Sequence, residues 1–438
     1  MRSPALLTDR YELTMLQASL RHGSAGRRAV FEVFSRQLPA GRRYGVVAGT
    51  GRLLDAIEQF RFDDEQVDWM LGEGIVDTDT AQWLSAYRFT GDIWGYAEGE
   101  VYFGGSPVLV VEAPFGEAVL LETLALSILN HDSAVASAAS RMTCAAGDRP
   151  CIEMGSRRTH EDAAVASARA AYLAGFAATS NLEAGRQHGI PTTGTSAHAF
   201  TLLHDTEREA FVAQVDSLGK NTTLLVDTYD VPAAVHTAVE LAGPDLGAVR
   251  IDSGDLVEVA ADVRAQLDSL GATSTRVLVT GDLDEHAIAG LAAAPVDGYG
   301  VGTSLVTGSG HPTSGFVYKL VSRAVSDDPD APMLGVAKNS PAKSTVAGRK
   351  WAMRRVDANG VAEAEVIGVG RAPVNDGNDR ALLVDLVRLG ERVWHGSLTD
   401  ARERHRRSRD ELPRRAHQLS RGEAVLPTSY ELDRELRR

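Results

Sequence analysis

Cysteine is nearly absent from this 438-residue chain, which holds only Cys144 and Cys151. Two cysteines without His or Cys companions at ligand spacing build neither a disulfide framework nor a zinc site, and they fit a reducing cytoplasm. No apolar run reaches the ~20 residues of a membrane-spanning helix, and the opening MRSPALLTDRYELT lacks the apolar core of a signal peptide. Positive charge is in deficit: 45 Lys and Arg against 59 Asp and Glu leave a net charge of −14. That balance excludes a generally basic nucleic-acid-binding surface. Low-complexity tracts and short-period repeats are missing as well. The absences together predict a cytoplasmic protein with no membrane and no nucleic-acid partner.

What remains is ordinary globular material, 44% hydrophobic and 24% charged, in a length sufficient for two or three domains. One stretch organises it. Between Thr222 and Thr303 four apolar runs recur, TTLLVD, AVRID, RVLVTGD and DGYGVGT, with amphipathic stretches of helical length between them. Continuous apolar runs at that spacing read as buried parallel strands joined by crossover helices. Each run ends in acids, glycines or hydroxyls: Asp227 and Asp230, Asp252-Ser253-Gly254-Asp255, Thr280-Gly281-Asp282, and Gly300-Val301-Gly302-Thr303. Chemistry in α/β barrels sits where the strands end, so these residues predict a site for a polar, phosphate-bearing ligand.

Upstream, Cys151–Met154, Phe176–Thr179 and Ile190–Thr195 read as three earlier strands. The expected fold is therefore an irregular parallel α/β barrel of about seven strands, spanning 131–325. Before it, residues 1–130 read as an α+β domain. Thr8-Asp9 with Glu12 resembles a capping box on a helix from Arg10 to Arg21 that carries Tyr11. Ala29–Ser35 alternates like a half-buried strand, and a Gly/Arg-rich loop with Arg36, Arg42 and Arg43 follows. Leu53–Phe60 and Asp64–Leu71 read as helices, Gly91–Tyr102 and Val108–Glu112 as strands, and Phe115–Ala146 as a long helical stretch. Residues 330–400, with strand-like Lys350–Val356, Ala362–Gly368 and Ala381–Leu389, are expected to complete this first domain as a smaller discontinuous sheet domain. Residues 401–438 read as a charged helical extension with a solvated face.

Four segments carry chemistry. In Pro191–Phe200, PTTGTSAHAF, small residues admit a ligand to the backbone, and His198 has a pKa suited to acid, base or nucleophile work; a hydrogen-bonded structural histidine remains the alternative. In Arg250-Ile251-Asp252-Ser253-Gly254-Asp255, two acids and an arginine suit ribose hydroxyls, a metal ion or a phosphate, while Asp255 is explained as the cap of the next helix. Gly300–Ser304 offers backbone N–H groups to an anion. Glu153–His160 places Arg157 and Arg158 at a strand end, where paired arginines suit a carboxylate or phosphate, although a surface pair is the alternative.

Taken together, LLTDRYELTMLQASL, FSRQLPAGRRYGVVAGT, EMGSRRTHE, TSNLEAGRQHGIPTTGTSAHAF, VRIDSGDL, YGVGTSLVTG and FVYKLV resemble the nicotinate phosphoribosyltransferase family, in order from Leu6 to about Arg355. The resemblance implies a type II phosphoribosyltransferase fold, usually dimeric with sites at the interface. It implies transfer of phosphoribose from phosphoribosyl pyrophosphate to nicotinate, coupled to ATP hydrolysis through a phosphohistidine, with magnesium. By resemblance, His198 is the phosphorylated histidine, and Tyr11 stacks on the pyridine from a neighbouring subunit. Arg157 and Thr195 lie at nicotinate, Arg250 and Asp252 hold the ribose and phosphate side with Ser253 and Gly254 beside them, and Gly302 and Thr303 bind the 5-phosphate. The metal ligands stay unassigned. Gly310-His311-Pro312-Thr313-Ser314 departs from the family's Gly-Asp-Ala-Pro type turn, and Lys338–Arg349 keeps its lysine-and-glycine character. A nicotinamide-specific transferase and a non-catalytic sugar-phosphate-binding barrel are the alternatives.

Overall fold

The computed structural model describes residues 3–338 and 345–432. The chain forms two compact units, Met1–Ala134 with Thr313–Arg438, and Val135–Pro312. Of the lysine-bearing segment Lys338–Arg349, residues 339–344 lie outside the described residues. No helix among the described residues is long and apolar enough to cross a membrane.

The first unit is built on a seven-stranded sheet ordered Met333–Gly335, Phe316–Ala324, Arg28–Ser35, Leu109–Pro114, Asp92–Tyr96, Leu383–Arg388, Glu391–Arg392. The N-terminal strands form its centre, and strands from the far end of the chain flank them on both sides. Arg28–Ser35 is buried at seven of its eight positions, not alternately. Glu32, which reads as the solvent-facing residue of an alternating strand, is buried and receives Nζ of Lys350 at 2.7 and 2.8 Å. Burial pushes its carboxyl up to about 6 against the pull of that ammonium.

The helix Arg10–Arg21 forms as expected, but Asp9 makes no side-chain cap. Glu12 turns inward instead, fully buried, and accepts the amide of Thr123 at 3.1 Å. A helix at Thr78–Ser85, capped by Asp77, goes unannounced by the sequence pattern, and the Phe115–Ala146 stretch divides into Phe115–Val119 and Glu122–Ala146. The C-terminal stretch, expected as a solvated helical extension from residue 401, is a working part of this unit. Its helix Leu398–Asp410 buries Ala401, His405 and Ser408. The strand Thr428–Leu432 then pairs in parallel with Ala362–Val369. Beneath it lies an ion network: Arg354, fully buried, donates to Glu365 at 2.7 Å, and Arg380 bridges Glu100 and Glu411, each at 2.7 Å.

The second unit is the irregular α/β barrel. Six parallel strands lie in the order Ala178–Thr179, Cys151–Glu153, Gly298–Val301, Arg276–Val279, Ala248–Ile251, Thr223–Leu225. Gly298–Val301 and Arg276–Val279 read from sequence as late strands, and they sit at the middle of the sheet. The expected strand Ile190–Thr195 is reduced to a single parallel bridge, Thr192 with Thr179. Pro191 has no N–H to give to a ladder, and the Thr-Thr-Gly that follows has little apolar side chain to bury. The six strands thus replace the expected seven, and every one of them delivers its C-terminal loop to the same end of the sheet, as parallel order requires.

Candidate functional site

At that end the strand-end loops enclose a cleft of about 390 Å³. Its lining comes from six segments: Met154 and Ser156–Arg158, Ser180, Thr193–Ala197, Arg250 with Asp252, Thr280–Asp282, and the Gly300, Gly302, Thr303 turn. Short apolar strands place them. On Ala248–Ile251 the neighbours Val249 and Ile251 are fully buried, so Arg250 faces the other side and enters the cleft.

Arg250 donates from Nη1 to the hydroxyl of Thr195. Burial lowers its pKa, Asp252 and Asp227 oppose that shift, and the charge of Arg157 adds to it. Two guanidiniums therefore share one partly desolvated space, which an anion would neutralise. Asp252 accepts the hydroxyl of Thr280. The Thr280–Asp282 turn presses on the same residue: a Cβ on Gly281, where φ is +102°, would stand 2.4 Å from the Asp252 carbonyl oxygen. Gly300 is equally confined, since a Cβ there would meet Thr280 Cγ2 at 2.5 Å and Met154 Sδ at 2.7 Å. The two glycines are required because these strand ends approach too closely for any side chain.

His198 opens the short helix His198–Leu203, with its side chain 40% exposed. Its Nε2 lies 3.2 Å from Oδ1 of Asp227, a carboxylate whose side chain is only 2% exposed. Oδ2 of Asp227 accepts the backbone amide of Asp252 at 2.9 Å and the hydroxyl of Ser253 at 2.7 Å. The histidine is thus linked to the cleft through one buried acid. Asp255 caps the following helix by accepting from the amides of Val257 and Glu258. Gly254, at φ +88°, makes the turn between them.

Of the residues singled out from sequence, Arg157, Thr195, Arg250, Asp252, Gly302 and Thr303 line the cleft together. His198 and Ser253 meet at Asp227, and Gly254 serves the turn. Tyr11 belongs to the other unit, on Arg10–Arg21, 45% exposed. Burial and the nearby Glu122 carboxylate raise its pKa. Sequence reasoning placed Asp227 and Asp282 at the strand ends that predict the site but gave neither a role, and it missed Ser180, which carried no signal of its own. Just before the atypical Gly310–Ser314 loop, Ser309 donates to Glu285, which also pairs with Arg141 at 2.9 Å.

No three His, Cys, Asp or Glu side chains among the described residues converge as a metal site. The cleft does hold two carboxylates, Asp252 and Asp282. That donor set suits magnesium, which is commonly held by one or two carboxylates and the phosphates of its substrate.

Comparison with known proteins agrees with this geometry. Residues 6–130 match the profile of the nicotinate phosphoribosyltransferase (NAPRTase) N-terminal domain. A nicotinate phosphoribosyltransferase of Mycobacterium tuberculosis, pncB1, is 56% identical over 432 residues, covering 97% of this chain and 94% of that protein. The nicotinate phosphoribosyltransferase of Bacillus subtilis is 37% identical over 386 residues, covering 85% and 78%. The crystal structure of human nicotinic acid phosphoribosyltransferase superposes with a TM-score of 0.83 over 98% of both chains, at 25% identity. The chain belongs to the nicotinate phosphoribosyltransferase family.

Proposed function

We propose that this chain transfers the phosphoribosyl group of phosphoribosyl pyrophosphate to nicotinate, giving nicotinate mononucleotide and pyrophosphate, a salvage step toward NAD. The supporting observation is the meeting of Arg157, Arg250, Asp252 and the Gly302-Thr303 turn in one cleft. A ligand with a carboxylate at one end and a phosphate at the other would satisfy that charge pattern. Arg157 takes the nicotinate carboxylate, with Thr195 beside it, and Gly302 and Thr303 take the 5-phosphate. Arg250 and Asp252 hold the ribose and its leaving pyrophosphate.

In the transfer, the C1–oxygen bond to pyrophosphate breaks and a C1–nitrogen bond to the pyridine ring forms, through an oxocarbenium-like state. No side chain attacks carbon. The rate gain comes from holding the two reactants in line and from cationic groups facing the leaving phosphates. Magnesium, when bound, would supply further neutralisation of the pyrophosphate charge, with Asp252 and Asp282 as the carboxylates facing it.

ATP hydrolysis is coupled through His198. An ionised Asp227 calls for a proton on Nε2, which leaves the Nδ1 lone pair as the nucleophile. Nδ1 takes the terminal phosphoryl group as its bond to ADP breaks, and water later releases phosphate. Such coupling works only if the two states of His198 differ in affinity for substrate or product. A homodimer in the cytoplasm, with Tyr11 of the partner subunit stacked on the pyridine, completes the reading.

The test is incubation of the purified chain with nicotinate, phosphoribosyl pyrophosphate and magnesium, with and without ATP, with nicotinate mononucleotide measured. Product that rises with ATP supports the coupled transfer. Product from nicotinamide alone moves the assignment to the amide, and silence with both bases leaves a non-catalytic sugar-phosphate binder.

A further inference from the structure

A buried carboxylate lies behind the cleft wall, with no part in the mechanism above. Glu153 ends the strand Cys151–Glu153 and is fully buried. Its Oε1 accepts the amide of Gly155, and its Oε2 accepts the hydroxyl of Thr179, at the end of the neighbouring strand and also fully buried. The Thr179 oxygen accepts in turn from the amide of Asn181 at 2.9 Å, and Asn181 Nδ2 donates to the hydroxyl of Ser156 at 2.9 Å. The bonds close a ring: Glu153, Gly155, Ser156, Asn181, Thr179 and back to Glu153.

Two turns are tied by that ring. One carries Arg157, held further by the amide of Arg158 on the Gly155 carbonyl at 2.8 Å. The other carries Ser180, and both residues line the cleft. The Arg157 turn has little rigidity of its own, because it is a single turn of 3-10 helix, Ser156–Arg158, with no side-chain cap. At its start a Cβ on Gly155 would stand 2.3 Å from Val306 Cγ1, so the turn is pressed on the short helix that follows Gly302. An apolar residue would fill the volume of Glu153 without the cost of burying a carboxylate, but it would leave the Gly155 amide and the Thr179 hydroxyl without acceptors.

We propose that Glu153 is a positioning residue that acts through the ring to aim Arg157, and so sets the affinity of the cleft for a carboxylate-bearing base and not for the ribosyl donor. The inference rests on the reading of Arg157 as the carboxylate ligand. Glu153→Gln keeps the volume and one acceptor, for the Gly155 amide, but leaves the Thr179 hydroxyl hydrogen without its partner. Thr179→Val removes the same link from the other side, together with the acceptor of the Asn181 amide, with little change in shape, and serves if the glutamate variant folds poorly.

The experiment is steady-state kinetics of the full chain carrying Glu153→Gln, Thr179→Val, both together, and Arg157→Ala, with melting temperatures alongside. The expected result is a nicotinate KM raised about five-fold or more in each single variant, a phosphoribosyl pyrophosphate KM within about two-fold of the parent, and a double variant no worse than the poorer single. Equal increases in both KM values, or none, with Arg157→Ala still selective for nicotinate, would overturn the positioning role alone. A nicotinate KM untouched by Arg157→Ala would overturn the carboxylate reading of Arg157 and the positioning role with it.

Discussion

Asp227 ties His198 to the strand end at Asp252: its carboxylate lies 3.2 Å from the imidazole and, through its second oxygen, receives the amide of Asp252 at 2.9 Å. Asp227→Asn keeps the shape but can present an N–H where the proton of Nε2 needs an acceptor. The expected outcome is a loss of about ten-fold or more in ATP-dependent turnover, with the ATP-independent rate much less affected. Nicotinate mononucleotide formation with and without ATP, and labelling of the protein from terminally labelled ATP, check it.

Gly281→Ala is expected to damage activity and stability together. The added Cβ meets the Asp252 carbonyl oxygen at 2.4 Å on a backbone at φ +102°, so the turn must shift or Asp252 must move. Strain of this kind costs about 1–3 kcal/mol. Chemical denaturation reads the stability, and a raised KM for phosphoribosyl pyrophosphate reads the displaced carboxylate.

Arg354→Leu removes the only cation bonded to Glu365 among the described residues, and both side chains are fully buried. Breaking a buried pair leaves an uncompensated charge and costs about 3–5 kcal/mol. A lowered denaturant midpoint is expected, and Arg354→Leu with Glu365→Leu should recover part of the loss.

Acid should weaken the first unit through His405. Burial, helped by the nearby Arg409 charge, pushes this ring down to about 3 from an ordinary 6.5. The unfolded chain therefore binds the proton more readily than the folded one. The stability His405 contributes is present above about pH 6.5 and is lost as the pH falls toward 3, by up to about 1.4 kcal/mol per pH unit. Denaturation midpoints measured from pH 7 to 4 should fall less steeply in His405→Gln than in the parent.

The strand ends were the legible part of this chain. VRIDSGD, VTGD and YGVGT announce buried parallel strands because apolar runs need no partner to be recognised, and their polar ends fall in the cleft. Glu32 shows where that logic stops. Its strand reads as half exposed, and its partner Lys350 is 318 positions away. Glu12 fails for the same reason, since a capping box is a local pattern and Thr123 is a distant competitor for the same carboxylate. Asp227 was visible as an acid but not as the acid that meets His198, because the contact spans 29 residues and depends on a helix that the strand pattern did not suggest.

The order of strands in the first unit bears on how the chain is made. Arg28–Ser35, Asp92–Tyr96 and Leu109–Pro114 emerge early, but the strands on either side of them, Phe316–Ala324 and Leu383–Arg388, are synthesised about 200 and 270 residues later. Until then the nascent sheet has two bare edges, open to pairing with another chain. The contiguous second unit, complete by Pro312, has all its strands in hand before the first unit can close. An early stop after Ala134 would therefore release a sheet core with no flanking strands, a fragment suited to aggregation and to chaperone capture rather than to independent folding.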